Sequence, residues 1–279
     1  MSRVSSMLVT SDDINAFAAK EKAAEELLPQ ILRKLVLASA KTATEIAFPT
    51  GKAINEGGWD GQVTCKTAEL FVPSGKSGWE LTARRDQVTK AQGDYDERLK
   101  SVDSVDQKKT TFIHWNMRKW GEAAREKWIK ERKNEEKWLD VCAYDAKSLE
   151  TWLLNHLGIH LWVSERMGKK PVDAQDIFSF WSDWSHTSTP PLTPEILTVG
   201  YEIQRSAIFE AIEQNSPTIS IQWERPDLVT AFVAAIMTSS SDPKIEQIAS
   251  RCIYIKTQQA FDALASQHQG LILIPAFRP

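Results

Sequence analysis

Gly57-Gly58-Trp59-Asp60-Gly61 and, twenty residues on, Trp79-Glu80-Leu81-Thr82 each set one acidic residue in an apolar, strand-like context. Val63 and Cys65 follow the first; Phe71, Val72 and Trp79 lead into the second. A desolvated carboxylate is costly without a partner, and two that meet at the edge of a sheet need positive charge between them. A divalent metal with oxygen ligands, of the kind Mg2+ takes, supplies it. The alternative is a pair of solvated strand ends, one capping a turn and the other pairing with Arg84 or Arg85. Strand side chains alternate, so Glu80 and Thr82 face one way and Leu81 the other.

Outward from this pair, strand patterns alternate with helical ones. Upstream, Ser11-Asp12-Asp13 caps a helix running to about Leu27, and Pro29 opens a second, Gln30 to Ser39, with Ile31, Leu32, Leu35 and Val36 on one face. Thr44–Phe48 reads as a short strand. The acidic strands span about Asp60–Lys66 and Gly78–Thr82, with Phe71-Val72 as a short strand between them. Downstream come a helix from Asp86 to Leu99, a strand Thr110–Trp115, and a charged helix Glu122–Lys137. Trp138–Tyr144 (WLDVCAY) then reads as a strand buried on both faces. A helix from Asp145 to Leu157 follows, with helical segments His160–Met167 and Asp173–Trp184. This alternation predicts an α/β fold, a mixed sheet flanked by helices.

Thr187-Ser188-Thr189-Pro190-Pro191-Leu192-Thr193-Pro194 has the composition of a linker. It divides the chain into a first domain, 1–188, a Pro/Thr linker, 189–195, and a small C-terminal α/β unit, 196–279. In that unit Glu195–Asn215, Asp227–Met237 and Gln258–Ser266 read as helices. Thr218–Trp223, Cys252–Ile255 and Leu271–Ile274 read as strands. A buried strand near Pro279 with no following helix implies that the polypeptide continues into something larger; the alternative is a complete three-stranded accessory domain.

With 279 residues, 42% apolar and 25% charged, the composition is that of an ordinary soluble protein. The net charge of −3 excludes a polyanion binder acting through bulk charge, so a nucleic-acid surface has to be local. Cys65, Cys142 and Cys252 are scattered and read as buried thiols of a reducing cytoplasm. No apolar run of about 18 residues and no signal peptide is present. The eleven Trp read as core.

Gly75-Lys76-Ser77 imitates the end of a phosphate-binding loop, but Leu70 stands where the motif needs its first glycine, and a strand rather than a helix follows. There is no GxSxG elbow. His156 and His160 are four apart without an accompanying Glu and read as structural.

The runs GGWDGQV, FVPSGKSGWELT and KAQGDYDERL, continued by TTFIHWNMRKW and KWLDVCAYDAKSLETWL, resemble the N-terminal nuclease module of bacterial antiphage STAND-type NTPases, the Avs-like group. Those modules are Mrr-like PD-(D/E)xK domains with a restriction-endonuclease-like fold. The resemblance covers roughly residues 25–200. It implies Asp60 and Glu80 as ligands of Mg2+ or Mn2+, and phosphodiester hydrolysis by an activated water. Thr82 occupies the place of the motif lysine. It can position a water but brings no positive charge. Lys90, about one turn into the next helix, is the best-placed substitute to stabilise the transition state. Arg84 and Arg85 are rivals, whose other reading is a solvated loop pairing with Asp86. Lys90, Asp94, Tyr95 and Arg98 match a helix motif of the group. Glu45 or Glu56 would assist a second metal; the alternative is exposed charge.

Residues 107–137 hold ten Lys/Arg against five Glu. Lys108, Lys109, Arg118 and Lys119 in particular, with Arg84 and Arg85, are expected to contact double-stranded DNA through phosphates, without sequence specificity. The alternative is a solvated helix laced with i,i+4 pairs. The family resemblance further implies a homo-oligomer, and NTPase and sensor regions that recognise a phage protein. It also keeps open a second reading, a catalytically silent module for DNA binding or oligomerisation.

Overall fold

The computed structural model describes residues 8–49, 58–169, 172–225, 228–267 and 270–277. The chain divides into two compact units, Leu8–Val163 and the part from Ser164 onward.

In the first unit the elements follow in the order α1 (Ser11–Phe17), α2 (Glu21–Ser39), β1 (Ala43–Ala47), β2 (Gly61–Cys65), β3 (Gly75–Thr82), α3 (Gln87–Ser101), α4 (Ser104–Gln107), β4 (Thr110–Asn116), α5 (Glu122–Asn134), β5 (Asp140–Tyr144), α6 (Ala146–Leu154) and α7 (Leu157–Arg166), which runs across the division. The sheet order is β1-β2-β3-β4-β5. The first three strands pair antiparallel, and β3-β4-β5 are parallel. The expected mixed sheet flanked by helices is therefore present.

Strand alternation sorts the aromatic residues onto two faces. Trp79 stacks on Trp115 at 6.0 Å, and Trp152 of α6 lies 5.6 Å from Trp115. On the opposite face Phe112 packs among Ala91 and Tyr95 of α3, Trp128 of α5, Trp138 and Trp59. Two glycines permit this packing: a Cβ on Gly61 would collide with the Phe48 ring, and one on Gly78 with the Trp59 indole. Gly75-Lys76-Ser77 opens β3, with no helix behind it.

Four local expectations differ from what forms. Thr10, not Ser11, caps α1 in a reciprocal capping box with Asp13. The helix break falls at Ala18–Lys20, and Pro29 lies inside α2. An interior proline costs about 3 kcal/mol, but Leu27, Leu28, Ile31, Leu32, Leu35 and Val36 are all buried around it, and that apolar face outweighs the lost bond. WLDVCAY is not buried on both faces: its strand starts at Asp140, lies at the end of the sheet order and alternates in burial, and Leu139 is 56% exposed. Phe71 sits at φ 63° in a turn closed by the Glu69–Val72 bridge.

The second unit contains β6 (Ala174–Asp176), α8 (Ile177–Ser185), α9 (Glu195–Thr198), α10 (Glu202–Glu213), α11 (Val229–Thr238), α12 (Pro243–Ala249), β7 (Cys252–Ile255), α13 (Gln258–Gln267) and β8 (Ile272–Pro275). Its sheet runs β6-β7-β8. This moves the boundary away from the Pro/Thr segment. Ala174–Asp176 pairs antiparallel with β7, and α8 packs on α11, so both belong to the second unit, although they precede the linker composition. Thr218–Trp223 forms no strand, and β6 takes the third place in the sheet. No described helix is long and apolar enough to cross a membrane.

Candidate functional site

Gly61 pairs with Trp79 across the antiparallel β2–β3 ladder. Carried one residue further, that register sets Asp60 opposite Glu80. Asp60 Oδ2 accepts a hydrogen bond from the Leu81 amide at 2.8 Å, which fixes the carboxylate beside β3. Parallel pairing puts Glu80 in register with His114 of β4. Both face α3, whose buried positions are Ala91, Asp94, Tyr95 and Arg98.

Two cations enter from that helix. Lys90 Nζ lies 2.5 Å from Asp94 Oδ1, and the other Asp94 oxygen is 3.4 Å from His114 Nδ1. Arg98 Nε donates to Glu80 Oε1 at 2.5 Å, and Arg98 Nη2 donates to the Gly58 carbonyl at 2.5 Å. The guanidinium also lies 5.4 Å from the Trp59 ring centroid. Three carboxylates, two cations and a wholly buried histidine thus share one face of the sheet.

The electrostatics follow from burial. Desolvation pushes the Glu80 carboxyl up to about 8; the charge of Asp60 adds to this, and Arg98 pulls it back only in part. Asp60 is raised as well, by burial first, against the opposing Leu81 amide bond. Burial would raise Asp94 too, but His114 and Lys90 outweigh it and hold the group below its ordinary value. For Lys90 burial works downward, and Asp94, Glu80 and Asp60 more than offset it. Glu25 of α2 is also within the electrostatic reach of Asp60, Lys90 and Arg84. It is an acidic neighbour on an exposed helix position that sequence spacing gave no reason to select.

A metal would have to be held by this donor set in one particular way. Among the described residues no group of three or more His, Cys, Asp or Glu is arranged to hold an ion. Two opposed carboxylates with raised proton affinity remain, and Mg2+ is commonly held by one or two carboxylates, with water and substrate phosphate completing the shell.

The other expected residues distribute as follows. Thr82 is buried, and its hydroxyl accepts from the Arg84 amide, so it stabilises the turn after β3. Arg84 pairs with Asp86 at 3.3 Å, and Arg85 is exposed. Lys108 and Lys109 are exposed; Lys108 Nζ donates to the Glu136 carbonyl. Lys119 pairs with Asp12 at 2.6 Å. Arg118 departs from the expected phosphate-contacting surface. It is 6% exposed, and its guanidinium donates to the Ala83 and Ala18 carbonyls at 2.6 and 2.7 Å. It ties the β3 end to the α1–α2 turn instead of meeting a ligand. Glu45 is exposed and accepts from the Thr64 hydroxyl; Glu56 lies outside the described residues. His156 and His160 take separate partners, Ser39 Oγ and the Val9 carbonyl, each at 2.8 Å.

The cation that touches Glu80 is thus Arg98, eighteen residues away, and the sequence singled out Lys90. The signal was the four-residue spacing of Lys90, Asp94 and Arg98, which puts all three on one stripe of a helix. No protein-family model, curated protein or solved structure matches the chain.

Proposed function

We propose that the Leu8–Val163 unit is a divalent-metal-dependent endodeoxyribonuclease of the restriction-endonuclease-like, PD-(D/E)xK type. In this reading it is the effector of a bacterial antiphage defence protein, held inactive until a larger assembly forms. The observation that carries the reading is the opposition of Asp60 and Glu80 across β2 and β3, both with raised proton affinity. Mg2+ or Mn2+ held by this pair would acidify a water and neutralise charge developing on a phosphate.

The chain's own groups divide the remaining work. Lys90 is held charged by Asp94 and lies within electrostatic reach of both carboxylates, a suitable place from which to stabilise a phosphorane-like charge. Arg98 fixes the Glu80 rotamer. Arg84, Arg85, Lys108, Lys109 and Lys119 supply exposed or half-exposed cations for phosphate contacts that carry no base information. Cutting both strands of a duplex needs two such sites, which favours a homo-oligomer. NTPase and phage-sensing regions would bring the copies together.

One observation favours the second reading, a silent module for DNA binding or oligomerisation: Arg98 already occupies a Glu80 carboxyl oxygen at 2.5 Å. Plasmid DNA incubated with Mg2+ and either the protein or its Glu80→Ala variant separates the two. Cleavage that disappears in the variant supports the nuclease. A gel shift without cleavage, equal for both proteins, supports the binding module.

A further inference from the structure

Arg98 does more than touch Glu80. One arm of its fork holds Glu80 on β3, and the other holds the Gly58 carbonyl, two residues before Asp60. Its plane lies near the Trp59 ring, which itself sits over Gly78, where any side chain would collide with it. One buried guanidinium therefore spans both chain segments that carry the opposed carboxylates. Among the described residues its one other ion pair is with Glu97, at 3.8 Å on an exposed side chain. A lysine's compact ammonium lacks the planar, two-armed span of this fork and cannot reproduce it.

We propose that Arg98 is a positioning residue that sets the separation of Asp60 and Glu80, and through it the affinity of the pair for a divalent cation. This rests on the metal reading of that pair. A guanidinium touching a metal ligand could also act as a rival cation, and the two roles have opposite signs. If Arg98 positions, its loss weakens cation binding. If it competes, its loss strengthens binding.

The test uses the full chain and its Arg98→Lys and Arg98→Met variants, with Mn2+ alone followed by calorimetry. The exchange of the Leu81 amide, which donates to Asp60, is followed by hydrogen–deuterium exchange. Protection of the β4 amides serves as the check that the fold persists. Both variants are expected to bind Mn2+ at least roughly tenfold more weakly, the usual effect of removing a group that orients a metal ligand. The Leu81 amide is expected to exchange faster in Arg98→Lys while β4 stays protected. Tighter Mn2+ binding by Arg98→Met overturns the proposal in favour of competition, and unchanged affinity in both variants overturns it outright. Should Arg98→Met fail to fold, Arg98→Lys decides alone, since it keeps a positive charge and removes the planar fork. If the wild-type chain binds no Mn2+, the metal reading fails and the affinity part with it. Leu81 exchange then still reports on the tether, and exchange unchanged in Arg98→Lys refutes that too.

Discussion

Replacing Glu80 by Gln should flatten the pH dependence of stability. The unfolded chain releases this proton near pH 4.5 and the folded chain near pH 8. Between those values the folded state holds one more proton, so its stability falls as pH rises. The slope approaches about 1.4 kcal/mol per pH unit, and the whole interval has a ceiling of about 5 kcal/mol, a large part of a typical domain's stability. Arg98 at 2.5 Å works against this, because it favours the ionised form. Glu80 is 4% exposed and faces Asp60, however, and one ion pair does not usually repay the desolvation of a buried carboxylate. Gln keeps an oxygen for Arg98 and has no proton to lose. Urea unfolding at pH 5, 6, 7 and 8 should show the variant gaining on wild type by several kcal/mol toward pH 8. His156, lowered by burial, tilts stability the opposite way below its ordinary value of 6.5, but it does so equally in both proteins. Mg2+ added at pH 8 should restore wild type alone, by about 2.7 kcal/mol at a hundredfold excess over its dissociation constant. Parallel curves for the two proteins would refute the reasoning. A variant that loses most at pH 8 would show that Arg98 wins and that Glu80 is ionised in the folded chain.

Two further outcomes follow from the surface and from the buried cation beneath it. Arg118→Ala leaves the Ala18 and Ala83 carbonyls without their donor and should destabilise the chain by about 2–4 kcal/mol in urea unfolding. It should leave the salt dependence of DNA binding unchanged, and a shallower slope would return Arg118 to the DNA surface. Removing Lys108 and Lys109 together should lower the slope of log affinity against log salt by about two, with equal losses on unrelated sequences; a loss confined to one sequence would contradict backbone contact.

Much of the fold was legible because its strands are apolar and punctuated. Cys252–Ile255 forms over the residues that the pattern marked. The failures share a physical cause, which is that neighbours decide what composition leaves open. Trp138-Leu139 look like strand, but they precede the last strand of the sheet order, and Leu139 is exposed. Ala174-Gln175-Asp176 has no apolar alternation and reads as helix because Asp176 does cap α8, accepting from Phe178 and Ser179 at 3.0 Å. The same three residues pair with β7, and nothing local announces it.

The site shows the same division more sharply. The burial of Glu80 and the partial burial of Asp60 were legible because an acidic residue in or next to an apolar strand is conspicuous. The contact of Arg98 with Glu80 was not, because Lys90, Asp94 and Arg98 taken alone form a ladder of opposite charges at four-residue spacing, which ordinarily means a solvated helix face. The sheet reverses that meaning. Glu80 and His114 are register partners on the side facing α3, so the ladder is buried against two more ionisable groups. Each charge is tolerated there only because the next one compensates it. The compensation runs between layers, so no window along the chain contains it. The β3–β4 register joined to the α3 stripe does contain it. That combination puts a guanidinium against a strand carboxylate, in the part of the site where Thr82 brings no charge.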